Sequence, residues 1–191
     1  MKSVKITALV LSALAVIFSA RTESAAEGVS ERVLRLHVVA ASDSCEDQEL
    51  KLRARDAVLE YLAPVLRGCG GREEAERIIE ALLPEIAAVA AAASGQPAEA
   101  GLAEESFPQR EYGAFALPQG SYRALRIRLG EARGKNWWCV VFPPLCAAVD
   151  GGEPDAFALL DGDEAELISG SGREIRFRVL EWTRSLLAVL S

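Results

Sequence analysis

The sequence predicts an α+β protein in which a mostly antiparallel sheet packs against two long helices, arranged as a helical hairpin, and a C-terminal helix, all on one side. Three observations support this prediction. A β-branched run near the N-terminus predicts a strand, two stretches with apolar residues at helical spacing follow it, and strand signals dominate residues 98–141. A chain of 191 residues is most simply a single domain.

The first strand is predicted over Arg32–Ala40, where Arg35 and His37 interrupt one face. A histidine in a strand is usually bonded to a neighbour, so His37 is interpreted as either structural or partner-binding. The alternative role, a general base, requires a nucleophile within reach, and Cys139 is the candidate.

A helix-start signal follows the strand. Ser44 with Asp47, or Asp43 with Glu46, has the spacing of a capping box, which satisfies free N–H groups of the first helical turn. An acid–base pair or a cation site is the alternative interpretation of the aspartates, but helix starts recruit acids for capping. We assign a structural or partner-binding role to Ser42, Asp43 and Asp47.

Two helices are predicted next. The first ends near Leu66, where Gly68–Gly71 stops it, and the second runs from Arg72 to about Ala93. Pro84 is expected to kink or restart the second helix, because proline lacks the backbone donor that a helix interior needs. We expect the two helices to form an antiparallel pair.

The region from Ala98 to Val141 carries strand signals. Leu117–Gly120 is a predicted turn with proline at its second position. Over Leu125–Leu129, apolar residues alternate with arginines, which indicates a strand with one solvated face. Another strand is predicted over Trp137–Phe142.

The end of the chain divides into two segments. Residues 150–172 are rich in glycine and acids and are predicted to form a flexible, solvated insertion. Residues 173–191 fit both a strand and a helix, and their length favours the helix, which belongs to the main domain at 27–149. The apolar stripe of this helix would contain Ile175, Val179, Trp182, Leu186 and Val189.

The N-terminus has the pattern of an export signal. Lys2 and Lys5 precede an apolar run over Ile6–Phe18, and Ser24–Ala26 supplies small residues for cleavage after Ala26. Residues 1–26 are therefore predicted to be a signal peptide. The run is shorter than the roughly 20 residues that cross a bilayer comfortably, although an uncleaved anchor or a buried helix is the alternative.

Charge and composition exclude several classes of protein. A net charge of −7 argues against a nucleic-acid binder, which needs a basic surface to bind phosphates. The same charge argues against broad attraction to anionic lipid. Membrane contact is therefore expected only through the leader before cleavage. A single histidine excludes a multi-histidine metal site. The sequence contains no P-loop, nucleophile elbow or zinc-protease motif, and we expect no cofactor.

Export makes disulfides persistent, and the chain has four cysteines. Cys45 and Cys69 flank a predicted helix that would hold them about 30 Å apart, whereas a disulfide needs Cα atoms within about 7 Å. These two are expected to be free or weakly paired. Cys139 and Cys146 enclose a short proline-containing loop, so we predict a disulfide between them.

The loop between these cysteines concentrates bulky groups. Adjacent residues of a strand point to opposite faces, so Trp137 and Trp138 cannot both fill the same core. The tryptophans either fill a core or anchor an interface, and an exposed tryptophan beside prolines is typical of an interface. The predicted partner-binding residues are Trp137, Trp138, Phe142, Pro143, Pro144 and Leu145.

Three segments resemble, in order, the stage II sporulation protein R family: Arg35–Val58, Leu117–Arg126 and Gly134–Cys146, the last being the most specific. The resemblance covers most of residues 32–149, with a looser match at Glu174–Leu187. Ala41 departs from the pattern, because asparagine is expected there. The second departure concerns two cysteines that look particular to this chain, Cys45 and Cys69.

The resemblance implies a signal, with no catalytic residues. Members of the family are exported from the forespore into the space between the two sporulation membranes. There they activate a membrane-embedded aspartic protease of the mother cell, which processes a sigma factor precursor. Two alternatives remain: a secreted cysteine hydrolase that uses Cys139 and His37, and a passive envelope-binding module.

Overall fold

The computed structural model describes residues 2–112, 115–143, 160–169 and 173–190. The helices are α1 (Lys2–Arg32), α2 (Cys45–Leu66), α3 (Arg72–Ala81), α4 (Leu83–Ser94), α5 (Gly162–Ser169) and α6 (Arg173–Leu190). The strands are β1 (Leu34–Val39), β2 (Ala98–Phe107), β3 (Arg110–Tyr112), β4 (Phe115–Leu117), β5 (Gly120–Leu129) and β6 (Asn136–Phe142).

The main sheet has the strand order β2-β5-β1-β6, and β3 and β4 form a separate two-stranded sheet. The pairs β2–β5 and β1–β6 are antiparallel, whereas the central pair β1–β5 is parallel. The α+β class is therefore confirmed, with one parallel pair at the centre. Because β6 is last in this order, the tryptophan-containing strand lies at an edge of the sheet.

Helices cover both faces of the main sheet. One core joins Leu36 and Ile127 of the sheet to side chains of α2, α3 and α4, and we call this side the α2 face. The other core joins Tyr122 and Val140 to side chains of α1, α5 and α6, and we call it the α1 face. The C-terminal helix therefore packs opposite the helical hairpin, which differs from the predicted arrangement on one side.

The helix boundaries follow the local signals. Ser44 is the N-cap of α2, and its side chain accepts a hydrogen bond from the backbone N–H of Asp47. The stretch predicted as one helix is split at Leu82, and Pro84 lies in the first turn of α4, where its missing N–H has no helical partner to lose. The prediction that Pro84 restarts the helix is confirmed.

The segment predicted to be flexible contains a helix. Within it, α5 buries Leu167 and Ile168 in the core of the α1 face, so the prediction is wrong over 162–169. Asp161 and Glu164 are two of the acids that suggested disorder. Each carboxylate accepts a hydrogen bond from the backbone N–H of the other residue, with an N–O distance of 3.0 Å, and the two bonds form a capping box. Residues 144–159 and 170–172 lie outside the described part of the chain.

The helix α6 is confirmed, but it buries a different side from the predicted stripe. Phe177 and Leu180 enter the core of the α1 face. Ile175 and Trp182, which belong to the predicted stripe, are 66% and 77% exposed. The apolar pattern identified a helix without identifying which side faces the sheet.

The helix α1 packs against the domain through its C-terminal half. Ala25, Ala26 and Val29 are buried against the α1 face, whereas Ile6 and Val16 of the apolar run are exposed. Among the helices described, none combines the length and apolarity of a bilayer-spanning segment. Cleavage after Ala26 stays a prediction.

Candidate functional site

The two adjacent tryptophans point to opposite faces of β6. Trp137 pairs with Val38 of β1, and Trp138 pairs with His37. Val38 belongs to the core of the α2 face, whereas Trp138 packs against the core of the α1 face. The prediction that both rings cannot fill one core is confirmed, and the two rings have different surroundings.

Trp137 is exposed on the edge strand of the sheet. Its side chain is 36% exposed, and the Arg55 guanidinium of α2 lies over its ring, with Cζ 4.5 Å from the ring centroid. Arg55 is held in turn by Asp56, at 2.6 Å. A guanidinium over an indole is attracted to the face of the ring, which favours one orientation of the side chain. Trp137 therefore has the exposure and the fixed orientation of an interface anchor.

Trp138 is half-buried and belongs to an aromatic cluster. Its ring centroid lies 6.0 Å from that of His37 and 6.5 Å from that of Phe107. The Arg110 guanidinium lies over the ring at 4.7 Å. These contacts indicate that Trp138 mainly supports the α1 face, and a partner can reach only its remaining surface.

The strand β6 ends in the interior. Phe142 is 1% exposed and belongs to the core of the α2 face, and Pro143 is also buried. This corrects the prediction that Phe142 and Pro143 contact a partner directly, because the structure places both beneath the surface. Pro144 and Leu145 lie outside the described residues, and their predicted roles stay predictions.

The cysteines fall into two groups. Cys45 is exposed and Cys69 is buried, and both are free. Burial raises the pKa of the Cys69 thiol. Cys139 is 5% exposed and is not among the free cysteines. Because Cys146 lies outside the described residues, the disulfide between Cys139 and Cys146 stays a prediction.

Side chains from all four strands form a polar row on the α1 face. His37 Nδ1 lies 2.5 Å from Glu105 Oε2, and His37 Nε2 lies 2.9 Å from Asn136 Oδ1. Arg126 pairs with the other oxygen of Glu105 at 3.1 Å. Both ring nitrogens of His37 thus have partners, and Glu105 reaches across β5 to meet it. This arrangement indicates a structural role for His37 beside Trp138.

The proposed Cys139–His37 pair does not form. In the β1–β6 register, Cys139 lies opposite Leu36 and His37 lies opposite Trp138. Neighbouring positions along a strand point to opposite faces. Cys139 accordingly belongs to the core of the α2 face, whereas His37 lies on the α1 face. Among the described residues, no group of three or more His, Cys, Asp or Glu side chains could hold a metal ion.

The helix-start residues bind one another. Asp47 Oδ2 accepts a hydrogen bond from Ser42 Oγ at 2.5 Å, and Asp47 Oδ1 accepts one from Gln96 Nε2 at 2.5 Å. The bond from Ser42, followed by the bond from Gln96, lowers the pKa of the Asp47 carboxyl. Only the Ser44 half of the predicted capping box therefore forms, because the Ser44 N–H donates to Ser42 Oγ and the Asp47 carboxylate instead joins Ser42 to Gln96. Asp47 has the structural role that was predicted, but its side chain does not cap the helix.

The same loop is joined to the turn that precedes β6. Asp43 Oδ1 accepts a hydrogen bond from the backbone N–H of Lys135 at 2.7 Å, and the Gly134 N–H donates to the Ala40 carbonyl at 2.9 Å. Buried Lys51 donates to the Lys135 carbonyl at 3.0 Å, and burial lowers its pKa. We call this contact between 40–44 and 133–136 the junction. It fixes the start of β6, and hence Trp137.

Arg35 lies buried among aromatic rings, which the sequence did not indicate. It is fully buried, and its guanidinium lies over the rings of Phe107 and Tyr122, at 4.2 and 5.0 Å. Burial lowers the pKa of Arg35 and raises that of Tyr122 to about 12. The only sequence signal was a charged residue on an otherwise apolar strand, which does not distinguish a solvated arginine from a buried one.

Comparison with known proteins places these features in a family. A family model described as Stage II sporulation protein R matches residues 30–150, which contain β1, the junction and β6. The chain is 40% identical over 123 residues to "Stage II sporulation protein R" of Bacillus subtilis (strain 168). This alignment covers 62% of the chain and 55% of that relative. No solved structure matches the chain significantly. The chain belongs to the stage II sporulation protein R family.

Proposed function

We propose that the protein is an exported signalling protein of sporulation. It acts in the space between the forespore and mother-cell membranes, where it binds a membrane-embedded aspartic protease of the mother cell. Binding activates the protease, which processes a sigma factor precursor. Family membership supports the sporulation role. The partner, the compartment and the step that is activated belong to the proposal.

The observation that carries the proposal is the exposed, oriented ring of Trp137. Anchors of protein interfaces are commonly tryptophans that a rigid support presents to a partner pocket. Trp137 has such a support on two sides, Arg55 from α2 and the junction before β6. Pre-ordering of this kind reduces the conformational entropy lost on binding.

The disulfide between Cys139 and Cys146 extends the same argument. It would hold the segment after β6 close to the strand, so Pro144 and Leu145 would meet the partner in a restricted conformation. Activation requires that the partner's active state bind this surface more tightly than its idle state does. A surface that is rigid before binding can make that distinction, because it does not adapt equally to both states.

Reconstitution tests the proposal. The purified protein, the candidate protease and the precursor would be combined in one membrane preparation, and cleavage of the precursor would be followed over time. The informative variant is Trp137→Ala, and the matched control is Trp182→Ala, which removes another exposed indole on α6. We expect Trp137→Ala to reduce activation at least tenfold, the size of a modest interface anchor, and Trp182→Ala to leave it unchanged.

Three results would contradict the proposal. Undiminished processing by folded Trp137→Ala would remove the role of this ring. Equal losses in Trp137→Ala and Trp182→Ala would indicate a non-specific effect. Binding to the membrane preparation without any change in proteolysis would instead support a passive envelope-binding module. Circular dichroism of each variant establishes that it is folded before the assay.

A further inference from the structure

Arg35 carries a buried charge without a carboxylate beside it among the described residues. Its Nε donates to the Cys139 carbonyl at 2.9 Å, and its Nη2 donates to the Tyr112 hydroxyl at 2.7 Å. Nη1 has no hydrogen-bond partner in the described part of the chain. Removing a charge from water is costly, and apolar side chains often serve a core equally well. Packing alone therefore does not explain an arginine at this position.

The contacts of Arg35 coincide with an irregularity in the β1–β6 ladder. Leu34 is opposite Phe142 and Arg35 is opposite Val140, so Val141 is the extra residue on β6. Such a bulge disrupts the ladder locally and bends the strand. Arg35 supplies a side-chain donor to a β6 carbonyl beside this bulge. The guanidinium therefore stabilises β6 where the regular ladder is interrupted.

Tyr112 adds a second connection from the small sheet. Its hydroxyl accepts the bond from Arg35 and donates to the Trp138 carbonyl at 3.3 Å. Its ring stacks on Phe115 at 5.0 Å, so the hydroxyl is held by packing as well as by hydrogen bonds. Two successive carbonyls of β6, those of Trp138 and Cys139, are thus held by buried Arg35 and partly buried Tyr112.

We infer that Arg35 and Tyr112 are positioning residues that hold the β6 backbone at Trp138 and Cys139, and so orient the strand that presents Trp137. This inference rests on the proposed function, because β6 carries Trp137, which is proposed to meet the protease. Neither residue needs to touch the partner. Arg35 is buried and acts through the β6 backbone, and Tyr112 acts through its hydroxyl.

The test compares variants that keep the packing and remove the bonds. Tyr112→Phe retains the stacked ring and removes the hydroxyl, and Arg35→Lys retains the charge but cannot donate to both partners in the same geometry. Tyr61→Phe on α2 is the matched control, since it removes a phenolic hydroxyl on the α2 face of the sheet, opposite Arg35 and Tyr112. Hydrogen exchange of the β6 amides is measured in parallel with precursor cleavage.

We expect exchange at 139–142 to rise at least about five- to tenfold in Tyr112→Phe, because the variant loses both hydrogen bonds of the hydroxyl and each is typically worth about such a factor. Exchange in α2 and α4 should stay at its original rate. The protein concentration needed for half-maximal activation should rise by at least the same factor, and more in Arg35→Lys. Tyr61→Phe should change neither measurement.

Two outcomes would overturn the inference. Unchanged exchange in β6 in both variants would show that the pair does not hold the strand. A uniform rise across the whole domain would show a general effect on stability. The proposed function fails separately, when β6 exchange rises as expected but neither these variants nor Trp137→Ala alters cleavage.

Discussion

Gly134 lies so close to Ser42 that a Cβ atom on Gly134 would be 2.1 Å from the Ser42 carbonyl oxygen. The same Cβ would lie 2.9 Å from the Ala40 side chain. These residues belong to the two sides of the junction, which precede α2 and β6. The absence of a side chain at Gly134 therefore allows the two loops to touch, and their contact sets the start of the strand that carries Trp137.

Gly134→Ala should destabilise the protein by about 1–3 kcal/mol, because the clash is with backbone and the junction must open to relieve it. The measurement is the free energy of unfolding from urea titration. Gly101→Ala is the matched control. No atom lies within 4 Å of its added Cβ, and alanine is favoured over glycine in a strand by about 0.5–1 kcal/mol. Equal destabilisation in the two variants would contradict the close contact.

Asp47→Asn should change how the free energy of unfolding depends on pH. The Asp47 pKa is lowered in the folded protein, chiefly by the bond from Ser42. A lowered folded pKa contributes stability that is present above the ordinary aspartate pKa of about 3.9, and that is lost as pH falls through the folded value.

We therefore expect part of the acid-induced loss of stability below about pH 4 to disappear in Asp47→Asn. Urea unfolding at a series of pH values measures it, with Glu80→Gln on the exposed side of α3 as a control for net charge. A wild-type pH profile in Asp47→Asn would show that this carboxylate does not contribute.

Glu105→Gln should lower the free energy of unfolding by about 1–2 kcal/mol, the usual size for loss of a charged partner in a hydrogen bond. Glu105 is largely shielded, at 13% side-chain exposure, and joins His37 to Arg126. Glu104→Gln is the control on the other face of the same strand, and a change within about 0.5 kcal/mol is expected there. Similar effects in both variants would show that the polar row does not stabilise the sheet.

Cys45 and Cys69, the two free cysteines, should differ in their rates of alkylation. Cys45 is exposed, whereas Cys69 is buried with its pKa raised by burial, so less of the reactive thiolate is present and access is poorer. We expect native protein to be labelled at Cys45 several-fold faster than at Cys69, with the difference lost in denaturant. Peptide mapping would measure both rates. Comparable labelling in the folded protein would contradict the described burial of Cys69.

The local signals in the chain predicted much of the fold. The capping residue Ser44, the restart at Pro84 and the opposite directions of Trp137 and Trp138 all depend on hydrogen bonds or geometry within a few residues. Such features are visible in the order of residues, because the backbone groups that decide them are close along the chain. The family resemblance was visible for the same reason, since it lies in short runs of residues.

Long-range packing determined the remainder. The parallel pairing of β1 with β5, the side of α6 that is buried and the opposite placement of Cys139 and His37 depend on contacts between distant segments. An arginine in a strand looks the same in sequence whether water or three aromatic rings surround it, and only the assembled sheet placed Arg35 among such rings. Periodicity indicates that a face exists, whereas the free energy of packing selects what covers it.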